Sequence, residues 1–233
     1  MTSADYIALA LFGFLWVTYS WMTAGSGAKM FPRTSLNRAM AERRRAWIYN
    51  SLGRDLKMID TQILAGLQNG TAFFASTSIF ALGGCFALLG ATDQVEAVFR
   101  DLPLVTYSGR TAFELKVGGL TCMFGYAFFK FGWSYRLFNY CTILIGAIPM
   151  RADAELNPAK AQQAVRSAGL MNALAAKNFN AGLRGIFFGL AYLGWFLGAY
   201  AFIATTLFVI AILAHRQFFS RARYAAGDPF EGE

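Results

Sequence analysis

Four long stretches of this chain carry almost no charge, and the charged residues gather between them. The stretches run from Tyr6 to Ala24 (YIALALFGFLWVTYSWMTA), from Gly70 to Ala91, from Phe113 to Ile148 and from Ile186 to Ala214. Each reaches or exceeds the roughly 20 apolar residues a helix needs to cross a hydrocarbon core of about 30 Å. In lipid the backbone must satisfy its own hydrogen bonds, so runs of this kind fold as α-helices. The composition agrees: 56% of residues are hydrophobic and 15% charged, against roughly 45–50% and 25% in soluble domains. The expected fold is all-α, a polytopic membrane protein in a single domain. It has four transmembrane helices, at about 6–24, 70–91, 113–135 and 186–214, and long amphipathic cytoplasmic helices in the connections 25–69 and 149–185.

The first run is read as a retained span rather than a signal peptide, because Asp5 is the only charged side chain before it and a signal carries positive charge there. The third run is too long for one crossing, since its 36 residues extend about 54 Å as a helix. Lys130 and Arg136 interrupt it among aromatic residues, a pattern expected at an interface where cations snorkel. Splitting this run would make five spans and move the C-terminus to the other side. In the first connection, Leu36, Met40, Trp47, Ile48, Leu52, Leu56, Ile59, Ile63 and Leu67 recur near helical spacing, which predicts one amphipathic helix from Leu36 to Leu67. A weaker stripe over 159–177 follows Asn157-Pro158, a good helix start. These two polar segments are expected to pack together.

The net charge of +8 does not indicate nucleic acid, because the basic residues lie between apolar spans and not on a polar folded surface. They orient the protein instead. Fifteen of the 21 Lys and Arg residues fall in the two long connections or at the inner end of the third run, and six on the other side. The basic side faces the cytoplasm by the positive-inside rule, and with four spans both termini are periplasmic. The lipid bilayer and its anionic headgroups are the expected partners, with Arg43, Arg44, Arg45 and Trp47 placed to meet headgroups.

Catalytic chemistry finds little support. Three cysteines without paired spacing and a single histidine, His215, leave no metal or redox cluster. No phosphate loop, dinucleotide fingerprint, HExxH or nucleophile elbow occurs. No cofactor is expected. Asp60, Asn69, Lys130 and Arg136 form a possible functional polar cluster, with an ion pair between Asp60 and Arg136, because charges near apolar runs are costly unless they are used or paired. Gly66 with Gly70, the pair Gly83 and Gly84, Gly185 with Gly189, and Gly194 with Gly198 offer close helix contacts, within the chain or with a second copy.

Three strings have a further significance: IDTQILAGLQNGTAFFASTSIFALGG (59–84), YAFFKFGWSYRLFNYCTILIGAIP (126–149) and NAGLRGIFFGLAYLGWF (180–196). Together they resemble the bacterial and plant membrane family catalogued as domain of unknown function 599. The resemblance implies an integral membrane protein, in bacteria one of the inner membrane, and implies no activity, substrate or cofactor. The resulting expectation is a non-catalytic accessory or scaffold subunit, forming an oligomer or joining a larger membrane complex. The rival expectation is a small-ion or solute channel with a cytoplasmic polar vestibule.

Overall fold

The computed structural model describes residues 1–24, 35–101 and 109–227. Among them there are helices and turns and no strand. The helices are α1 (Ser3–Ala24), α2 (Leu36–Asn50), α3 (Met58–Gly90), α4 (Thr92–Asp101), α5 (Arg110–Gly146), α6 (Arg151–Leu156), α7 (Pro158–Tyr192), α8 (Gly194–Leu197), α9 (Ala199–Phe218) and α10 (Arg221–Ala226). Residues 25–34, part of the first predicted connection, lie outside the described residues.

Three segments are long and apolar enough to cross a membrane: Ser3–Thr23, Met58–Gly90 and Ala199–Ala226. The protein is therefore all-α and of membrane type. α5 and α7 are long but more mixed, with 37 and 35 residues that span about 55 and 52 Å. Their lower hydropathy has a structural reason. α5 packs between α3 and α7, so much of its surface meets protein instead of lipid and can carry glycine, tyrosine and serine.

Side-chain contacts fix the direction of each helix. Gln68 of α3 donates to Asn139 Oδ1 (2.8 Å) and Thr142 Oγ1 (3.0 Å) of α5, while Phe74 stacks on Phe131 at 5.5 Å. Positions rising on one helix meet positions falling on the other, so α3 and α5 are antiparallel. The same holds for α5 and α7, where Ser134 Oγ donates to Ala175 O at 2.8 Å and Gly189 faces Phe124. α1 and α9 run parallel, since Phe12 meets Phe202 and Tyr19 OH donates to Leu213 O.

The bundle thus has two ends. Asp5, Lys116 and Trp195 meet at one, which we call the Asp5 end. At the other, the arginine end, α2 lies across α7 and touches α9 and α10. That α2 packs on α7 is what two amphipathic segments were expected to do.

Three expectations require correction. The run 186–214 is not one helix: α7 stops at Tyr192, α8 turns, and the chain reverses at Gly198 before α9. Gly198 has φ 139°, a conformation that only glycine adopts without strain. Apolar length alone carries no signal for such a reversal. As a consequence Ser3 and Ala226 lie at opposite ends of the bundle, not the same end. The third correction concerns Leu36–Leu67, which is two helices. α2 ends at Asn50, a 3-10 turn covers Ser51–Gly53, and α3 starts at Met58. Only part of the stripe is buried: Ile48 and Leu64 meet in one cluster, with Trp47, Leu52 and Leu67 packed against it, while Met40, Leu56, Ile59 and Ile63 are exposed.

Two buried clusters fill the interior. At the Asp5 end Phe12, Phe188, Tyr192, Trp195 and Phe202 pack together, with Trp16 stacked on Phe188 at 5.1 Å. At the arginine end Ile48, Leu64, Phe138, Cys141, Ile145, Val165 and Ala168 form the second cluster. Phe80, Phe129 and Phe208 point outward, 79%, 74% and 66% exposed. In water such a surface would aggregate, whereas in a bilayer it faces acyl chains.

Candidate functional site: a cationic chamber at the arginine end

Ser35 opens α2 by accepting Arg38 N on its hydroxyl, the usual N-cap arrangement. From that cap, Asn37, Ala41 and Arg44 fall at i, i+4 and i+7 on one face, with Arg38 and Arg45 beside them. On α7, Lys177 and Arg184 are seven residues apart, two turns on the same face and about 10 Å along the axis. These two faces, closed by Thr23 at the end of α1, enclose a cavity of about 420 Å³.

Five cations line the cavity: Arg38, Arg44, Arg45, Lys177 and Arg184, with Asn37 and Asn180 between them. No Asp or Glu is among the lining residues. The nearby Glu42 meets Arg38 at 3.6 Å, with both side chains about half exposed or more. Arg184 is 8% exposed and makes no hydrogen bond or ion pair among the described residues. Arg44 is half-buried and donates once, from Nη1 to Asn172 Oδ1 at 3.1 Å. Asn172 is fully buried and its amide reaches Cys141 Sγ at 3.6 Å, so Arg44 is held by a neutral dipole. Burial pushes the Arg44 guanidinium below its ordinary pKa, as desolvation does to any cation. Taking a charge out of water costs several kcal/mol unless an opposite charge repays it. Among the described residues that line this cavity there is no such charge.

The predicted headgroup residues separate. Arg44 and Arg45 enter the chamber. Arg43 turns away and caps the end of α10, donating to Ala226 O (3.1 Å) and Gly227 O (2.7 Å). Trp47 donates its indole N–H to Asp60 Oδ1 at 2.7 Å.

The predicted polar cluster of Asp60, Asn69, Lys130 and Arg136 does not assemble. Asp60 is fully buried and accepts on the same Oδ1 from Trp47 and from Arg54, at 2.5 Å, while Oδ2 has no partner among the described residues. Arg54, and not Arg136, is its counterion. The closeness in sequence explains this: Arg54 sits in the turn that brings α2 back to α3. Arg136 is exposed and donates to Tyr140 OH one turn on, at 2.6 Å. Lys130 lies 5.5 Å over the Tyr126 ring, and Asn69 is exposed.

The glycines also divide. At Gly66, Gly70, Gly83 and Gly84 a Cβ would meet nothing within 4 Å among the described residues. Gly194 and Gly198 belong to the reversal, and a Cβ at Gly194 would collide with Thr205. The close helix contact is on α7, at the expected pair Gly185 and Gly189 and at Gly182. A Cβ at Gly182 would lie 2.7–2.9 Å from the Phe131 ring, and one at Gly185 3.2–3.3 Å from Tyr126 and Ala127.

Sequence reading missed Arg38, Lys177, Arg184 and Asn172. Arg38 and Arg45 share a face at i, i+7, as do Lys177 and Arg184, and that repeat was visible. That the two faces meet was not. No group of three or more His, Cys, Asp or Glu capable of holding a metal occurs among the described residues.

The sequence model of the family described as "Protein of unknown function, DUF599" matches residues 7–222. No curated protein and no solved structure matches the chain.

Proposed function

We propose that this chain, which belongs to the DUF599 family of proteins of unknown function, is a five-crossing inner-membrane protein that holds an anionic ligand at its cytoplasmic face. In this role it acts as a non-catalytic accessory or scaffold subunit. The observation that carries the reading is the pair Arg44 and Arg184, the one half-buried and the other buried in a chamber with no carboxylate among its described lining residues.

The charge distribution supports five crossings. With α1, α3, α5, α7 and α9 as the spans, Arg216, Arg221 and Arg223 join the basic side. Eighteen of the 21 Lys and Arg residues then lie there, and only Arg100, Arg110 and Lys116 opposite. A four-span reading divides them fifteen to six, so the positive-inside rule favours five. The arginine end faces the cytoplasm and α10 lies with it.

Binding is favoured over conduction because the interior between the two ends is filled by aromatic rings. Phe12, Trp16, Phe188 and Tyr192 sit above the chamber in contact with one another, leaving the chamber a dead end. The exposed face of α3 with Gly66, Gly70, Gly83 and Gly84 is where a second copy or a partner helix would approach.

Two measurements test this. Single cysteines introduced at Ser3 and Ala225 in a cysteine-free background should react with a membrane-impermeant maleimide from opposite sides of sealed vesicles. Labelling from the same side removes the five-crossing arrangement. Purified protein should unfold at higher temperature in sulfate or phosphate than in chloride at matched ionic strength, by an amount that corresponds to about 2.7 kcal/mol at a hundredfold excess over Kd. Equal stabilisation by all three salts removes the anion site.

A further inference from the structure

The chamber's chemistry narrows the ligand further than "an anion". A guanidinium carries five N–H donors in a planar fork. Arg44 uses one of them on Asn172 and Arg184 uses none on the described residues. Such forks match oxyanions, which accept two parallel bonds, and are wasted on a halide. The number of cations also matters. A phosphodiester brings one negative charge to a chamber of five cations, while a phosphate monoester brings about 1.5 to 2 near neutral pH.

Size and lining add a second requirement. At about 30 Å³ per water in the liquid, a cavity of about 420 Å³ is several times larger than a phosphate group needs. Part of its wall is apolar: Leu36, Met40, Ala41, Ala173 and Ala176. Among the described lining residues there is no aromatic side chain. Cations beside this apolar wall fit a molecule with a dianionic head and an organic body.

Resting on the anion-binding reading above, we infer that the chamber is a binding site for phosphate monoesters, with Arg44 and Arg184 clasping the phosphate and the alanine-rich face of α7 beside the organic part. A lipid whose head is a phosphate monoester and a small free organophosphate share this chemistry.

The experiment uses the full chain in nanodiscs of phosphatidylcholine. Isothermal titration compares glycerol 3-phosphate, the diester glycerophosphocholine and sodium sulfate; a parallel arm compares thermal unfolding in discs with and without phosphatidic acid. Glycerol 3-phosphate should bind at least tenfold tighter than the diester, or phosphatidic acid should raise the unfolding temperature if the lipid is the natural source. Arg184→Gln and Arg44→Gln should each weaken binding tenfold or more. Arg184→Lys should recover part of it, with circular dichroism and elution volume unchanged. Binding only in the lipid arm supports the site with a lipid ligand, and binding in the soluble arm supports it with a free one. Equal affinity for monoester and diester, or a folded Arg184→Gln protein that binds normally, overturns the inference. If sulfate binds without any preference for the monoester, the ligand class fails while the anion reading stands. If no anion binds, both fail.

Discussion

The two ends of the bundle solve the same problem in opposite ways. At the Asp5 end the buried acid and the buried cation both find partners in the chain. Asp5 accepts from Thr2 N (2.7 Å), Thr2 Oγ1 (3.0 Å) and Trp195 Nε1 (2.8 Å), and Lys116 donates to Trp195 O (2.8 Å) while lying 5.3 Å from the Trp195 ring. The acid and the cation are joined through Trp195, across three helices. At the arginine end five cations line one cavity, with Arg38, Arg45 and Lys177 exposed and Arg44 and Arg184 more deeply set, and no acid is among its described lining residues. A charge network that closes on itself stabilises a fold, whereas one that stays open at a cost of several kcal/mol has a use for the missing charge. The difference sets a self-contained polar centre apart from the proposed binding site.

The comparison breaks most visibly at Asp5. Asp5→Ala leaves Trp195 Nε1 and Lys116 buried without their carboxylate, and should cost about 3 kcal/mol, read as a lowered midpoint in thermal unfolding of the detergent-solubilised protein. Asp60→Ala should cost about 2 kcal/mol by the same measurement, because it strands Arg54 and the Trp47 indole at the junction of α2 and α3. A change of sign is expected at Arg184. Without ligand, Arg184→Leu removes an unrepaid charge and should raise stability by about 1 kcal/mol, and it should abolish the stabilisation by phosphate. A destabilised, phosphate-responsive Arg184→Leu protein would show that the two ends do not differ in kind. The smallest effect belongs to the exposed pair Arg151 and Glu155, 3.3 Å apart with side chains 65% and 70% exposed. Glu155→Ala should move stability by less than about 0.5 kcal/mol.

Much of the fold was legible because bilayers impose a strong rule on sequence. Long uncharged runs reported α1, α3 and much of α5, and Asn157-Pro158 marked the start of α7 through its cap, with Asn157 Oδ1 accepting Lys160 N at 3.2 Å. The candidate site was much less legible. Arg44 and Arg45 were recognised as basic residues of an amphipathic helix, yet Arg43 between them does something else. Three adjacent residues on a helix point 100° apart, and only the neighbours decide which of them meets solvent, a helix end or a chamber. Asp60 stands out in the sequence as an acid beside an apolar run, with its partner expected on a distant span, whereas a turn six residues away supplies it.

From the chain alone came the all-helical membrane class, the basic face and the absence of recognisable catalytic motifs, all of which follow from composition and from periodicities that act within a few turns. Tertiary structure decided how many times the chain turns back, where its termini lie and which charges meet. Those outcomes depend on Gly198 adopting a positive φ inside an apolar run, and on α2 and α7 bringing together cations more than a hundred residues apart. Neither is encoded in local pattern, because the energy that settles them is that of contacts between helices.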